Sequence, residues 1–323
     1  MVGISSRRQN HVSASIFAAD DETCIVISGE VGNKIRSMNA NSQNARSTPP
    51  QTPTGHSRAK TYHWAFLFLV LLVAAAAVDA LLIEPYFIEV THYELHGPVT
   101  APLKIAHLSD IHAFGFGRRE REMLGILEKE KPDIILITGD SPGRWLGRPN
   151  GSFEGATAVY EHLHAPLGVW FVHGNWENAR PIRNERAFYQ SVGVHLLLNS
   201  NGEARPDVWI AGLDDPYTGV AKPDAALAGI PPGAYTIMLF HSPGYFSHVA
   251  GRVNLCLAGH THGGQVRLPF AKPFWLPRGS GHFLEGWYED GGTKMYVSRG
   301  IGTSTLPIRF FCRPEIAFIT VEP

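Results

Sequence analysis

Residues with metal-binding side chains follow apolar segments at five places in the chain. The five sets are Ser109-Asp110-Ile111-His112, Thr138-Gly139-Asp140, His173-Gly174-Asn175, His241 and Gly259-His260-Thr261-His262. Asp110 and His112 are two residues apart, so on an extended segment they would point to the same side. Carboxylate oxygens together with imidazole nitrogens suit zinc, iron or manganese rather than calcium. These residues therefore predict a site for divalent transition metals.

The apolar segments before these residues are typical of buried β-strands, and helical patterns lie between several of them. Ligands bind beyond the carboxyl ends of the strands in parallel α/β sheets, so we expect the polar residues to meet at one sheet edge. The layout is α/β with some antiparallel pairing. The predicted strands are 103–108, 133–138, 169–173, 195–198, 208–211, 236–241, 253–258, 294–298 and 315–321, and the predicted helices are 118–131, 155–164 and 183–192.

The number of candidate ligands is too large for one tetrahedral ion. Two ions that share a bridging carboxylate, about 3.5–4 Å apart, would use all of them, and Asp140 is the best candidate for the bridge. Each motif alone has a common structural explanation, since a Gly-Asp pair is usually a turn. Their coincidence at strand ends favours a metal site. The candidate ligands are Asp110, His112, Asp140, Asn175, His241, His260 and His262.

The overall composition excludes several other classes of protein. The 323 residues carry a net charge of −1, which gives no electrostatic footprint for nucleic acid. The cysteines Cys24, Cys256 and Cys312 form no CxxC pair, so they indicate neither a disulfide framework nor a zinc knuckle. No protein partner is inferred from the sequence.

The N-terminal part differs from the rest of the chain. Residues 1–61 are rich in small polar residues, and we expect them to be disordered. Trp64–Ile83 contains about 20 mainly apolar residues, enough to cross a bilayer. We interpret 62–86 as a single-pass membrane anchor, 87–101 as a linker and 102–323 as the catalytic domain. A cleaved signal peptide and a buried core helix are the alternatives.

Charges on either side of this apolar segment predict its orientation. Arg58 and Lys60 precede it, while Glu84 and Glu89 follow it. The positive-inside rule then places the N-terminus in the cytoplasm and the large domain on the extracytoplasmic side.

The five motifs, in this order, resemble those of the calcineurin-like metallophosphoesterase family. The resemblance covers about Leu103 to the C-terminus, and segments 263–269, 297–302 and 308–315 look like its membrane-anchored bacterial branch. It implies a two-sheet sandwich flanked by helices, with two metal ions at the sheet edge. Carried over by motif, one ion would bind Asp110, His112, Asp140 and His262, and the other Asp140, Asn175, His241 and His260.

The resemblance also implies an activity. Two divalent ions (Mn, Fe or Zn) would provide a bridging hydroxide that attacks phosphorus in line, with Asp140, Asn175 and His241 as catalytic residues. The expected substrate is a phosphodiester or pyrophosphate of a membrane lipid or envelope component. The branch resemblance points to a hydrolase of lipid A biosynthesis like UDP-2,3-diacylglucosamine hydrolase. The predicted outward orientation favours envelope polymers or phospholipids instead.

One position departs from the family pattern, which usually reads Gly-Asn-His followed by an acidic residue. Here Gly174-Asn175 is followed by Trp176 and Glu177. An indole N–H donates hydrogen bonds but does not protonate a leaving alkoxide. The tryptophan therefore favours substrates with good leaving groups, unless His173 or another histidine substitutes. The alternative is a metal-binding sensor or adaptor with little turnover.

An apolar loop follows the last histidine pair. Phe270, Phe274 and Trp275 lie in it, interrupted by prolines. Such a loop either packs on the surface, receives an acyl chain or enters the membrane interface. We take Trp176, Phe274 and Trp275 as candidate substrate-binding residues.

Overall fold

The computed structural model describes residues 56–143 and 153–323, with side chains from residue 61 onward. Most of the expected disordered segment 1–61 lies outside this range. Helix α1 begins at His56, so the last residues of that segment are helical.

The apolar segment forms a helix that is exposed along most of its length. Helix α1 (His56–Val78) continues as a π-helical turn (Asp79–Ile83) and a 3₁₀ turn (Glu84–Tyr86). Residues Thr61–Tyr86 are long and apolar enough to cross a membrane, and their most apolar window is not buried. The alternative of a buried core helix is therefore wrong.

The first sheet has six strands in the order β1-β12-β2-β3-β4-β5. Strands β2 to β5 are parallel, and β12 pairs antiparallel to β2 and parallel to β1. Strand β1 lies within 87–101, so the expected linker is wrong there because these residues pair along the whole of β12. The strands are β1 (Glu89–His96), β2 (Leu103–Leu108), β3 (Ile134–Ile137), β4 (Val169–Phe171), β5 (Val194–Leu196) and β12 (Glu315–Glu322).

The second sheet also has six strands, in the order β10-β11-β9-β8-β7-β6. Its four central strands are parallel, and the two edge strands β10 and β6 pair antiparallel to their neighbours. The strands are β6 (Ser200–Arg205), β7 (Val208–Gly212), β8 (Tyr235–Leu239), β9 (Leu255–Ala258), β10 (Gly286–Asp290) and β11 (Thr293–Val297).

The two sheets pack face to face, and helices cover their outer faces. Ile105 and Leu136 of the first sheet share one buried cluster with Ile237 and Leu257 of the second. Strands covered on both faces are apolar throughout, which explains their continuous apolar sequences. This confirms the two-sheet α/β fold. Helices α2 (Arg118–Glu130), α3 (Phe153–Tyr160) and α5 (Glu185–Ser191) pack on the first sheet, and α6 (Pro223–Leu227) packs on the second.

Candidate metal centre

All seven candidate ligands lie within four residues of a strand end, but they come from two sheets rather than one. The first sheet supplies those after β2, β3 and β4, and the second supplies those after β8 and β9. Asn175 is the first residue of the short helix α4 (Asn175–Asn178).

The backbone is left-handed at five of the seven positions, so the expected extended segment around Asp110 and His112 is wrong. Asp and His are among the non-glycine residues that adopt this conformation more readily, yet it costs about 1–3 kcal/mol per residue. The sharp turns after β2, β3 and β9 are thus made by the candidate ligands themselves. The φ angles are 48° for Asp110, 44° for His112, 55° for Asp140, 70° for His260 and 51° for His262.

One group of ligand atoms joins the two sheets through Asp110, His112 and His262. The Nε2 atom of His262 lies 3.2 Å from Asp110 Oδ1 and 3.2 Å from His112 Nε2. All three side chains are buried, and their ligand atoms lie within 4.8 Å of one another. This spacing suits a single metal ion.

A second group contains Asp110, Asp140 and His241. The Nε2 atom of His241 lies 3.4 Å from Asp140 Oδ2, 3.2 Å from Asn175 Oδ1 and 3.0 Å from His260 Nδ1. All seven candidates are therefore brought together. The two carboxylate–imidazole groups share Asp110 rather than Asp140.

Asp140 also lies between the two groups. Its Oδ2 atom is 3.8 Å from His112 Nε2 and 3.4 Å from His241 Nε2. The geometry thus offers two carboxylates, Asp110 and Asp140, as bridges between metal ions.

Main-chain carbonyls orient three of the four histidine rings. His112 Nδ1 donates to Pro142 O, His241 Nδ1 to Thr138 O and His260 Nε2 to Arg278 O, at 3.2, 2.7 and 2.9 Å. A carbonyl only accepts, so each inner nitrogen of a neutral ring carries a lone pair. Lone pairs that face each other at 3.0 Å, as in His241 and His260, repel unless a proton or a metal ion intervenes. The donor set therefore fits divalent cations.

The electrostatics of the cluster agree with this fit. Burial lowers the pKa of His260 to about 4 and holds the pKa of His112 well below its usual value, which keeps both rings neutral. Burial opposes ionisation of Asp110, yet the neighbouring imidazoles, His262 first, keep its pKa well below the usual range. Although burial opposes it, the carboxylate of Asp140 raises the pKa of His241 well above its usual value. The buried Asp110 carboxylate thus attracts positive charge to this point, whereas burial raises the pKa of Asp140 to about 7.

The two oxygens of Asp110 have different surroundings. Oδ2 accepts hydrogen bonds from Ser109 Oγ at 2.6 Å and from the His260 N–H at 2.9 Å. Oδ1 has no hydrogen-bond donor among the described residues and faces His262. One oxygen is therefore held by the protein while the other is left for a metal ion.

Glu177 is the main site residue that the sequence did not reveal. Its buried carboxylate accepts hydrogen bonds from the backbone N–H groups of Asp140, Ser141 and Gly174, at 3.0, 2.9 and 2.8 Å. It therefore ties the loop after β3 to the loop after β4. The only sequence signal was an acidic residue in the family pattern, which does not reveal its role.

Comparison with known proteins agrees with this centre. The family model for the calcineurin-like phosphoesterase matches residues 103–264, about half of the chain. This chain belongs to the calcineurin-like phosphoesterase family. The predicted family and the hydrolase class are thereby confirmed.

Three relatives illustrate the range of the family. An uncharacterized metallophosphoesterase, YkuE of Bacillus subtilis, is 29% identical over 74% of this chain and 87% of its own length. The phosphodiesterase YaeI of Escherichia coli is 29% identical over 68% of this chain and 82% of its own. A transmembrane protein with metallophosphoesterase domain from Bos taurus is 30% identical over 70% of this chain and 54% of its own.

His173 does not replace the histidine that this phosphoesterase lacks. Its Nδ1 atom lies 3.0 Å from Asn178 Oδ1, and its Nε2 atom lies 3.4 Å from Glu185. Its ring therefore interacts with α4 and α5 rather than with the metal ligands. Trp176 instead donates its backbone N–H to Asp140 Oδ1 at 2.9 Å, and its indole meets the His112 ring edge-on.

A groove of about 480 Å³ begins at the candidate metal ligands of the phosphoesterase. The candidate substrate residues Trp176, Phe274 and Trp275 line it together with Asp140 and His262. Phe274 and Trp275 are 76% and 69% exposed, so most of their apolar surface is free. The groove therefore joins a polar end at the metal centre to an apolar wall.

Proposed function

We propose that this chain is a dinuclear metal-dependent hydrolase of phosphodiester or pyrophosphate bonds in a membrane lipid or envelope component. One observation carries the proposal: buried carboxylates and inward-facing imidazole nitrogens meet at the end of an apolar groove. A lipid-linked phosphoester has this same combination of a charged group and an apolar chain.

The proposed ligand sets follow the motifs. One ion would be held by Asp110, His112, Asp140 and His262, and the other by Asp140, Asn175, His241 and His260. When bound, divalent Mn, Fe or Zn would supply an activated water and neutralise charge on the phosphoryl oxygens. Asp140, Asn175 and His241 would be the residues nearest the reaction.

The protein's own contribution is orientation. The carbonyls of Pro142, Thr138 and Arg278 fix the tautomers of three histidines, so their inner nitrogens face the ions. Glu177 holds the backbone on both sides of Asp140 and Asn175. The site is therefore organised before substrate arrives.

Trp176 narrows the proposed substrate class. It lies where the family usually has a histidine, and no proton donor for a leaving alkoxide comes from its indole. Bonds with a good leaving group, such as a pyrophosphate or an activated diester, need less help. The lipid pyrophosphates of lipid A biosynthesis and the phosphodiesters of phospholipids both belong to this class, and the name of the Escherichia coli relative favours diesters.

We also propose that α1 anchors the chain and that the catalytic domain is extracytoplasmic. Basic residues precede the apolar segment and acidic residues follow it, and the bovine relative is named a transmembrane protein. A reporter fused after Pro323 tests the orientation, because activity restricted to a cytoplasmic reporter would contradict it.

The experiment that tests the hydrolase uses the full chain in detergent with Mn²⁺ and two substrates, bis-p-nitrophenyl phosphate and p-nitrophenyl phosphate. We expect turnover of the diester that Asp140→Asn abolishes. Asp224→Asn is the matched control, because Asp224 is 94% exposed and pairs only with Arg252 among the described residues. Equal turnover in both variants would contradict the proposal.

A second candidate function is a metal-binding sensor or adaptor with little turnover, which Trp176 favours. Metal bound at full occupancy without turnover of lipid pyrophosphates, diesters or monoesters would support it.

A further inference from the structure

Large exposed apolar side chains lie in the groove wall and in the chain segments next to it, and Phe274, Trp275 and Leu306 line the groove itself. We call them the apolar rim: Leu268, Phe270, Phe274, Trp275, Leu306 and Phe311, all exposed. Clustered apolar surface of this kind marks a contact site with a membrane, a protein or a ligand.

The rim is connected to the end of the apolar helix. Glu84 follows that helix, is buried, and accepts hydrogen bonds from the backbone N–H groups of Phe311 and Cys312. Arg309 donates its backbone N–H to Ala80 O at 3.0 Å. The helix end therefore contacts segment 309–312, which carries part of the rim.

The same segment supports the groove wall. Phe310 exchanges backbone hydrogen bonds with segment 265–267 of the groove wall, donating to Gln265 O and accepting from the Arg267 N–H at 3.0 and 2.8 Å. The side chain of Gln265 donates to Leu306 O at 3.1 Å. Gln265 and Leu306 both line the groove, so hydrogen bonds connect its mouth to the apolar helix.

Phe270 lies in an unusual conformation for a bulky residue. Its φ angle is 63° and its side chain is fully exposed. Left-handed backbone is strained for such a residue, and strain of this kind concentrates at functional sites. The strain turns a phenyl ring outward where a polar residue would be less costly in water.

The charges around the rim favour an anionic surface. Residues 268–284 contain Lys272 and Arg278 and no acidic residue. Basic residues beside exposed aromatic rings are typical of protein segments that lie at the headgroup level of anionic bilayers.

We propose that the apolar rim inserts into the bilayer that α1 crosses, so that the groove opens onto the lipid headgroups of that membrane. The groove would then take an acyl-bearing phosphoester directly from the bilayer, with the acyl chain along Phe274 and Trp275. The substrate part rests on the proposed hydrolase function, whereas the insertion rests only on the proposed membrane anchor.

Insertion can be measured without any turnover. The full chain, with Cys24→Ser, is reconstituted into phosphatidylcholine–phosphatidylglycerol vesicles after labelling Phe270→Cys with an environment-sensitive dye; Cys256 and Cys312 are buried. The matched control is Glu203→Cys, an exposed position on β6 at the edge of the second sheet opposite β10. We expect a blue shift and quenching by brominated acyl chains at 270 only.

Two results would overturn the insertion. The dye at 270 could remain as accessible to water as the dye at 203. Alternatively, its emission could follow protein density and ignore bromination, which would assign the rim to a second copy of the chain.

The substrate part has its own measurement. Asn accepts left-handed backbone, so Phe270→Asn removes the ring without changing the turn. We expect kcat/KM to fall about tenfold for a phosphodiester lipid in vesicles. This is the size expected when part of one aromatic side chain is no longer buried in the bilayer. The kcat/KM for bis-p-nitrophenyl phosphate should change little. An equal loss of kcat/KM on both substrates would contradict the role of the rim. If the unsubstituted chain turned over neither substrate, the hydrolase proposal would be refuted and the dye result would still be valid.

Discussion

The metal centre and the apolar rim are neighbours, but they are built in opposite ways. The candidate metal ligands are mostly buried, and backbone groups fix three of the four histidine rings. The rim side chains are exposed, and Phe270 extends away from the rest of the fold. The chain itself therefore organises the metal centre, whereas the conformation of the apolar rim depends on what it contacts.

Mutations should therefore act differently in the metal centre and in the apolar rim. Main-chain carbonyls cannot be removed by substitution, so the histidine orientations at the metal centre are protected. Glu177 is the exception, because a side chain there holds three backbone N–H groups.

The largest expected effect is at a carboxylate shared by both ligand groups. Asp110→Asn keeps the left-handed turn but removes the charge, and we expect activity to fall more than about 100-fold, beyond the effect of residues that only support ligands. Elemental analysis of the variant beside Asp140→Asn distinguishes the two candidate bridges. The bridging residue is the one whose loss removes both ions, and unchanged metal content in both variants would contradict the centre.

The next largest effect is expected at Glu177, and it tests whether this carboxylate helps to organise the metal centre. Glu177→Gln places an amide N–H₂ among backbone donors, and we expect metal affinity to fall about 10–100-fold, measured by competition with a chelator. The matched control is Glu185→Gln, a partly exposed carboxylate on α5. Equal metal affinities in the two variants would show that the main-chain carbonyls organise the metal centre without Glu177.

A smaller effect, an increase in activity, is expected at Trp176, which lies between the metal centre and the groove. Trp176→His supplies a proton donor, so turnover of alkyl monoesters should rise about tenfold, below the 10²–10⁴-fold of optimised acid catalysis. The rise should be smaller for p-nitrophenyl phosphate, whose leaving group needs no proton. Trp287→His, on β10, is the control. A uniform change across leaving groups would contradict this role.

The smallest effect on the metal centre is expected at Glu84, which links the apolar helix to segment 309–312. Glu84→Gln weakens two charge-assisted hydrogen bonds to Phe311 and Cys312, so the free energy of unfolding should fall by about 1–3 kcal/mol. Thermal unfolding in detergent measures this change. Metal content should be unchanged, and its loss would show that the rim and the centre are not independent.

The sequence predicts the central strands and the edge strand β5, whereas it misses the other three edge strands of the described residues, β1, β6 and β10. Strands β3, β8 and β9 are buried throughout and almost entirely apolar because both faces are covered, so their pattern is unambiguous. Strand β1 and the edge strand β6 carry many polar residues and were missed. The position of β12 between β1 and β2 follows from long-range pairing that no local pattern encodes.

The candidate site shows the same division. Ligand residue types at strand ends predict the seven candidate ligands, which the structure brings together, because metal chemistry restricts the side chains. Glu177 and the carbonyl of Arg278 were missed because they act on the backbone or through it, which leaves no signature in residue type.

The left-handed turns at the ligands have a consequence for the lifetime of the protein. Strain at five positions lowers the stability of the fold, and cations that bind only the folded chain would offset it. Scarcity of metal would then shorten survival against heat and proteolysis, so the protein's abundance would follow the cation supply of its surroundings.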